Sequence, residues 1–264
     1  MAVVEGDHED DYRFLKNFPP KTPHVVLSAE QIGSKDVFVI GDVHGCYDEL
    51  VALLEKAGVR NNPNVIIIFV GDLINKGPKN KEVLRLVRDI GALSVRGNHD
   101  QKSLYQVVKL KEDETYPIRS KYEWLRLLDD TDIELLSQLP FTISIPSLDA
   151  MIVHAGLVPG HPLPEQDPWD MMKMRNVMEN INSDGSKSYE AIEDLQPGHS
   201  WSKMWPGPEH VYYGHDARRR LNKSPYATGL DSGCVYGGEL TGVFLTGSKQ
   251  FVSVNANSVT PQCS

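Results

Sequence analysis

The chain has 264 residues, 40% of them apolar and 24% charged, which is long enough for one large domain with a substantial core and excludes wholesale disorder. Its formal charge of −9 opposes attraction to nucleic acid or anionic membrane, so stable DNA binding and membrane association are not expected. Cys46, Cys234 and Cys263 are odd in number and widely spaced. They suit reduced thiols better than a disulfide framework, and with no basic-then-apolar leader and no apolar run of membrane length the expectation is a cytoplasmic protein.

Residues 1–24 turn acidic and then proline-bearing (Pro19, Pro20, Pro23), the composition of a terminal arm, which leaves 25–264 as a single domain. Val37-Phe38-Val39-Ile40 reads as a strand, followed by a helix with Leu50, Leu53, Leu54 and Ala57 on one face. Val65 to Val70 is a second strand, Val83, Leu84, Val87 and Ile90 stripe a second helix, and Leu93-Ser94-Val95 is a third strand. This alternation predicts βαβ units and a largely parallel sheet. Residues 101–139 read as a helical insertion, with Thr131 and Glu134 as a capping box. Strand signals return at 141–145, 150–153 and 211–213, and predict a second sheet. The stretch 159–209, rich in Pro, Gly and Trp, reads as irregular. Cys234 to Leu245 reads as a hairpin turning at Gly237-Gly238, with a further strand at 250–255.

The chemistry lies where these strands end. Asp42, Asp72, Asn98, His154 and His215 each follow an apolar run, usually beside a glycine, and in open α/β sheets the loops beyond strand carboxyl ends form the ligand crevice. Asp42 and His44, at i and i+2 of an extended segment, point the same way and can grip one cation. Either alone is more often structural; the recurrence of the pattern is the signal. Asp72 offers two oxygens to bridge two cations. In Arg96-Gly97-Asn98-His99-Asp100, Asn98 supplies a neutral oxygen ligand, His99 a group for proton transfer and Arg96 a guanidinium for phosphate. The run Arg218-Arg219-Arg220 could meet a polyphosphate or RNA chain but reads rather as a solvated basic face. Trp201, Trp205, Tyr212 and Tyr213 could stack on a nucleobase or serve as packing, a choice the sequence leaves open.

The motifs GDVHG, GDLINKGP, RGNHD, HAG and GH, in this order over residues 41–215, resemble the signature of the phosphoprotein phosphatase superfamily of calcineurin-like metallophosphoesterases. Asn75-Lys76 replaces the usual Asp-Arg pair, and this narrows the resemblance to the ApaH-like phosphatases, a eukaryotic branch similar to bacterial diadenosine tetraphosphate hydrolases. The segments Asp167 to Asp170 with Met174-Arg175, Tyr213 to Arg219, and Gly229 to Val235 extend it almost to the C-terminus.

The resemblance implies an α/β (α+β) fold of two mixed β-sheets packed as a sandwich and flanked by helices. It implies two divalent metal ions, manganese first, with zinc, iron, cobalt or magnesium as alternatives. Asp42, His44 and Asp72 would hold one ion, and Asp72, Asn98, His154 and His215 the other. A water bridging them would hydrolyse a phosphate ester or anhydride, with His99 as proton donor to the leaving oxygen, Asn75 orienting it, and Arg96, Lys76 and Arg175 binding phosphate. The implied substrate is a nucleotidic polyphosphate, either a dinucleoside tetraphosphate or the cap of a capped RNA. Inorganic polyphosphate, a phosphorylated serine or threonine protein, and non-catalytic binding of a phosphorylated partner stay open, as does the oligomeric state.

Overall fold

Val37 and Val39 point one way from their strand and Phe38 and Ile40 the other, and all four are completely buried. A strand covered on both faces has to be apolar throughout, which is why its sequence does not alternate. The computed structural model describes residues 19–257, and in chain order these form β1 (His24–Val26), α1 (Ala29–Ile32), β2 (Asp36–Ile40), α2 (Tyr47–Lys56), β3 (Val65–Phe69), α3 (Asn80–Asp89), β4 (Leu93–Ser94) and α4 (Asn98–Glu112). After a 3-10 turn at Ser120–Leu127 come α5 (Asp130–Gln138), β5 (Thr142–Ile145), β6 (Ala150–Val153), α6 (Pro168–Lys173), β7 (Asn176–Ile181), β8 (Lys187–Ile192), β9 (His199–Ser200) and α7 (Trp201–Met204). The remainder is β10 (His210–Tyr213), β11 (Asn222–Ser224), β12 (Ala227–Gly229), β13 (Glu239–Phe244) and β14 (Phe251–Asn255).

One mixed sheet runs β14-β13-β2-β3-β4 and the other β1-β5-β6-β10-β12-β11. Val37, Val39, Ile68 and Val70 of the first meet Ile143, Ile145, Ile152 and Tyr212 of the second in a shared core. Phe38, Ile40, Ile67 and Phe69 face the other way, under Leu50, Leu53 and Leu54 of α2, Val83, Leu84 and Val87 of α3, and Leu136 of α5. The expected sandwich with helices outside is therefore the observed architecture. In each sheet the central strands are parallel, β2-β3-β4 in one and β6-β10-β12 in the other. Their carboxyl ends carry the residues singled out above.

Several sequence expectations need correction. The arm was bounded at residue 24, yet Pro23 already accepts the N–H of Phe141 (2.7 Å) and His24 pairs with Thr142 in β1; residues 1–18 lie outside those described, as does Cys263. The helix at 130 is capped by Asp129, whose carboxylate accepts from Thr131 and Asp132 N–H (3.1 Å each), with Asp132 rather than Glu134 closing the box. Cys234–Tyr236 is a 3-10 turn with left-handed Gly233 and Gly237 at its ends, and the hairpin is β13 against β14. The stretch read as irregular contains a third sheet, β8-β7-β9.

Candidate metal centre

Each expected ligand sits just past a strand. Asp42 and His44 follow β2, Asp72 follows β3, Asn98 opens α4 after β4, His154 follows β6 directly and His215 follows β10. The turns that deliver them are tight. His44, Asp72, Asn75, Lys76 and His215 all adopt left-handed backbone (φ 48°, 51°, 74°, 74° and 68°), a conformation that costs a non-glycine residue free energy and clusters at functional sites. Gly97 and Gly214 permit the close approach: a Cβ on Gly97 would collide with the Asp72 carboxylate, and one on Gly214 with that of Asp42.

The three histidines are oriented by backbone carbonyls. Nδ1–H of His154 donates to Val70 O (2.8 Å), Nδ1–H of His44 to Ile74 O (3.3 Å) and Nε2–H of His215 to Lys173 O (3.0 Å). A carbonyl can only accept, so in the neutral ring the opposite nitrogen keeps a lone pair, the usual tautomer control of a ligating histidine. Those lone pairs converge. His154 Nε2 and His215 Nδ1 each lie 3.0 Å from Asn98 Oδ1, and Asp72 Oδ2 lies 3.5 Å from His154 Nε2 and 3.4 Å from His44 Nε2. Ligand atoms of Asp72, His154 and His215 fall within 4.8 Å of one another, as do those of His44, Asp72 and His99. Acceptors meeting with no hydrogen between them are what a divalent cation fits, and Asp72 belongs to both groups. A positive charge already lodges there, because Lys76 Nζ donates to His44 Nε2 (2.9 Å). Asp42 stands outside both groups, its oxygens accepting the N–H of His215 (3.2 and 3.0 Å).

The electrostatics have the same sign. Burial raises the Asp42 pKa well above the carboxylate range, helped by Asp231 and Asp72, and burial also pushes Asp231 up to about 6. Burial would raise Asp72 too, but His154, His99, His44 and Lys76 together hold it low and ionised. Burial lowers His44 to about 3, and lowers His99, His154 and His215 as well. Neutral imidazoles beside crowded carboxylates need added positive charge, which a bound cation supplies.

His99 has a partner of unusual polarity. Asn75 Oδ1 accepts the N–H of Lys76 (2.9 Å), so its amide nitrogen faces His99 and donates to Nδ1 (2.9 Å). The ring proton of His99 is thereby placed on Nε2. Asn80 Oδ1 in turn accepts the N–H of Asn75 (2.7 Å), and Asp100, raised to about 8 by burial, accepts from Gly97 N–H (3.0 Å) and Ile74 N–H (3.4 Å).

A crevice of about 680 Å³ opens over the ligands, lined among others by Asp72, Lys76, Asn98, His99, Arg175 and His215. Arg96 does not reach it. Its guanidinium is fully buried, donates to Gln101 Oε1 (2.9 Å) and Ser137 O (2.7 Å) and lies over the Phe141 ring. The phosphate-clamp expectation for Arg96 is therefore corrected to a scaffold role. Lys173, Arg218, Asp231 and Tyr236 also line the crevice and were not singled out as site residues. Asp231 lay within a segment that carried the resemblance, and that was its only signal.

Comparison with known proteins agrees with this geometry. Residues 35–228 match the model of the calcineurin-like phosphoesterase family. The chain is 31% identical over 235 residues to the asymmetrical bis(5'-nucleosyl)-tetraphosphatase PrpE of Bacillus subtilis, covering 77% of this chain and 88% of that one. It is 27% identical over 267 residues to the symmetrical bis(5'-nucleosyl)-tetraphosphatase of Coxiella burnetii, covering 82% and 91%. Among solved structures it superposes with a TM-score of 0.79 on a provisionally assigned diadenosine tetraphosphatase, at 36% identity over 90% of this chain and 100% of the other. A serine/threonine phosphatase of Saccharomyces cerevisiae shares the fold at 14% identity and a TM-score of 0.59, covering 94% and 87%. With acidic, amide and imidazole side chains from several strand ends gathered beside one crevice and its match spanning most of the sequence, the chain belongs to the calcineurin-like phosphoesterase family and is a hydrolase.

Proposed function

We propose that the protein hydrolyses the phosphoanhydride chain of a dinucleoside polyphosphate, with two divalent cations at the converged ligands and manganese as the first candidate. The observation that carries this reading is the pair of ligand groups sharing Asp72, in a chain whose relatives include bis(5'-nucleosyl)-tetraphosphatases of both symmetrical and asymmetrical type. Asp72, Asn98, His154 and His215 would hold one ion, and His44 with Asp72 and Asp42 the other. Such a pair, when bound, activates a water and neutralises phosphoryl charge.

The chain's own groups do the rest. Lys76 and Arg175 draw the phosphate chain into the crevice and orient it. The first turn of α4 points its positive end toward the same place, with the His99 N–H already donating to Asp72 Oδ1 (2.9 Å). His99 offers its Nε2–H to the leaving oxygen. A phosphate leaving group carries its own negative charge well, so a hydrogen bond from a neutral imidazole suffices where an alkoxide would demand a full proton. That match favours anhydride cleavage over hydrolysis of a phosphorylated serine.

A capped RNA presents the same linkage and is the second substrate of this class. Among the described residues no helix is long and apolar enough to cross a membrane. The test is to incubate the manganese-loaded protein with diadenosine tetraphosphate and resolve the products beside an Asp72→Asn control. Two ADP indicate symmetrical attack, and ATP with AMP asymmetrical attack. No turnover by protein shown to contain manganese would sink dinucleotide cleavage.

A further inference from the structure

The chain as a whole is acidic, yet among the described residues its crevice is lined by Lys76, Lys173, Arg175, Arg218 and Arg220 against Asp72 and Asp231. These cations are not equivalent. Arg220 Nη1 donates to the carbonyls of Ser232 (2.6 Å) and Gly233 (3.4 Å) and so braces the loop that carries Asp231. Arg219 is spent in the same way, on Asn176 Oδ1 (2.6 Å), Arg175 O (3.1 Å) and the Asp216 carboxylate (2.7 Å).

Arg218 differs from both. Like Arg220 it is exposed and lines the crevice, but it makes no hydrogen bond or ion pair with another described residue, whereas Arg219 and Arg220 are both committed to protein acceptors. Arg175 commits Nη1 to Glu193 O (2.8 Å), while its buried Nε has no hydrogen-bond partner and lies 3.9 Å from Asp216 Oδ1. Lys173 ends α6 with its ammonium 5.3 Å from the Trp169 ring centroid and 4.0 Å from the Glu193 carboxylate. Apart from Tyr236 and Ala217 the crevice wall is polar or charged, whereas a pocket that reads a flat nucleobase is lined mainly by apolar surface.

We propose that Lys173 and Arg218, together with Arg175, form a second phosphate subsite beside the metal ligands, so that the crevice selects a linear chain of phosphates by its charge and length and leaves the base unread. This deepens the anhydride-hydrolase reading and rests on it for its biological meaning. One phosphate occupies the reacting position, and each further phosphate brings oxygens to a guanidinium fork or an ammonium. The fork of Arg218 can be engaged without giving up a protein acceptor.

The test is calorimetric titration of the full-length, manganese-loaded protein, with free manganese in excess, using orthophosphate and a bismethylene triphosphate analogue whose P–C–P bridges resist hydrolysis. The wild-type protein is expected to bind the triphosphate analogue about tenfold to hundredfold more tightly than orthophosphate, the gain from one or two charge-assisted contacts. In Arg218→Gln and in Lys173→Gln/Arg218→Gln that ratio falls towards one, with the melting temperature reporting the fold. Equal weakening of both anions, or an unchanged ratio in the double variant, overturns the proposal. A ratio that collapses as expected in a protein that leaves diadenosine tetraphosphate intact supports the subsite and refutes the dinucleotide reading. A flat ratio in a wild-type protein that cleaves the dinucleotide does the reverse.

Discussion

Asn75→Asp tests the role of His99 most sharply. In the native site the amide of Asn75 donates to His99 Nδ1 at 2.9 Å, and His99 is held neutral, first by burial and then by Lys76. A carboxylate at 75 reverses the polarity, because it can only accept, so Nδ1 must carry a proton. An opposite charge in contact raises an imidazole pKa by about 1–3, and each step of one corresponds to about 1.4 kcal/mol. The imidazolium fraction at fixed pH therefore rises by about tenfold to a thousandfold in the variant while its native pKa remains low.

That change has no value for a phosphate leaving group and large value for an alkoxide. The expected outcome is that kcat/KM for an alkyl phosphate such as β-glycerophosphate rises by about tenfold or more relative to diadenosine tetraphosphate. The ester's pH profile is expected to extend its active range toward neutral pH on the side where His99 loses its proton. Initial rates with both substrates at saturating manganese make the comparison, and the melting temperature controls for the cost of a carboxylate where Asn75 is 5% exposed. Equal factors for the two substrates, with the fold intact, would show that His99 does not serve the leaving oxygen and would refute the reasoning.

Arg96→Met removes a buried donor to Gln101 and Ser137 and is expected to cost about 2–4 kcal/mol in denaturant unfolding while substrate KM stays within about twofold; a large KM effect at unchanged stability would return Arg96 to the site. Because burial raises both Asp42 and Asp231, the latter to about 6, the cation-free site keeps protons in weak acid that it loses as pH rises. Manganese is therefore expected to raise the melting temperature more at about pH 8 than at about pH 5.5, with calorimetric proton release at the lower pH; a pH-independent shift contradicts this. Gly97→Ala drives a methyl group into the Asp72 carboxylate, so the variant's manganese content by elemental analysis is expected to fall by more than half, roughly, even where the protein folds, and full metal loading would count against a close Gly97–Asp72 packing requirement.

The layers of this fold were legible where sequence pattern and burial obey the same rule. β2 and β3 are near-continuous apolar runs because helices cover one face and a second sheet the other, and the Gly-Asp pairs after them mark the turns that carry ligands. β7 and β8 were missed for the opposite reason. Asn-Val-Met-Glu-Asn-Ile pairs with Lys-Ser-Tyr-Glu-Ala-Ile on a largely half-exposed ribbon, where no strict alternation is imposed. The Gly237-Gly238 pair looked like a primed turn, but left-handed Gly233 and Gly237 instead bracket a 3-10 turn that buries Cys234 and Val235. The direction of a side chain at a strand end is likewise beyond pattern: Arg96 precedes the Gly97-Asn98-His99 motif and turns into the core, while Asn98 turns to the ligands.

The basic run 218–220 shows how far identity alone falls short, since Arg219 and Arg220 are committed to protein acceptors while Arg218, beside Arg220 in the crevice lining, is not. Asn75 shows the converse. The loss of charge relative to the family's usual aspartate was evident from the residue type, but its consequence required the hydrogen-bond network. Lys76 N–H occupies Asn75 Oδ1, only the amide nitrogen is left for His99, and the ring is thereby fixed with its proton on Nε2. On the proposed reading, a site built this way assists a leaving group that leaves well as an anion more than one that needs a proton, so the same substitution that distinguishes the motif would also rank the substrates.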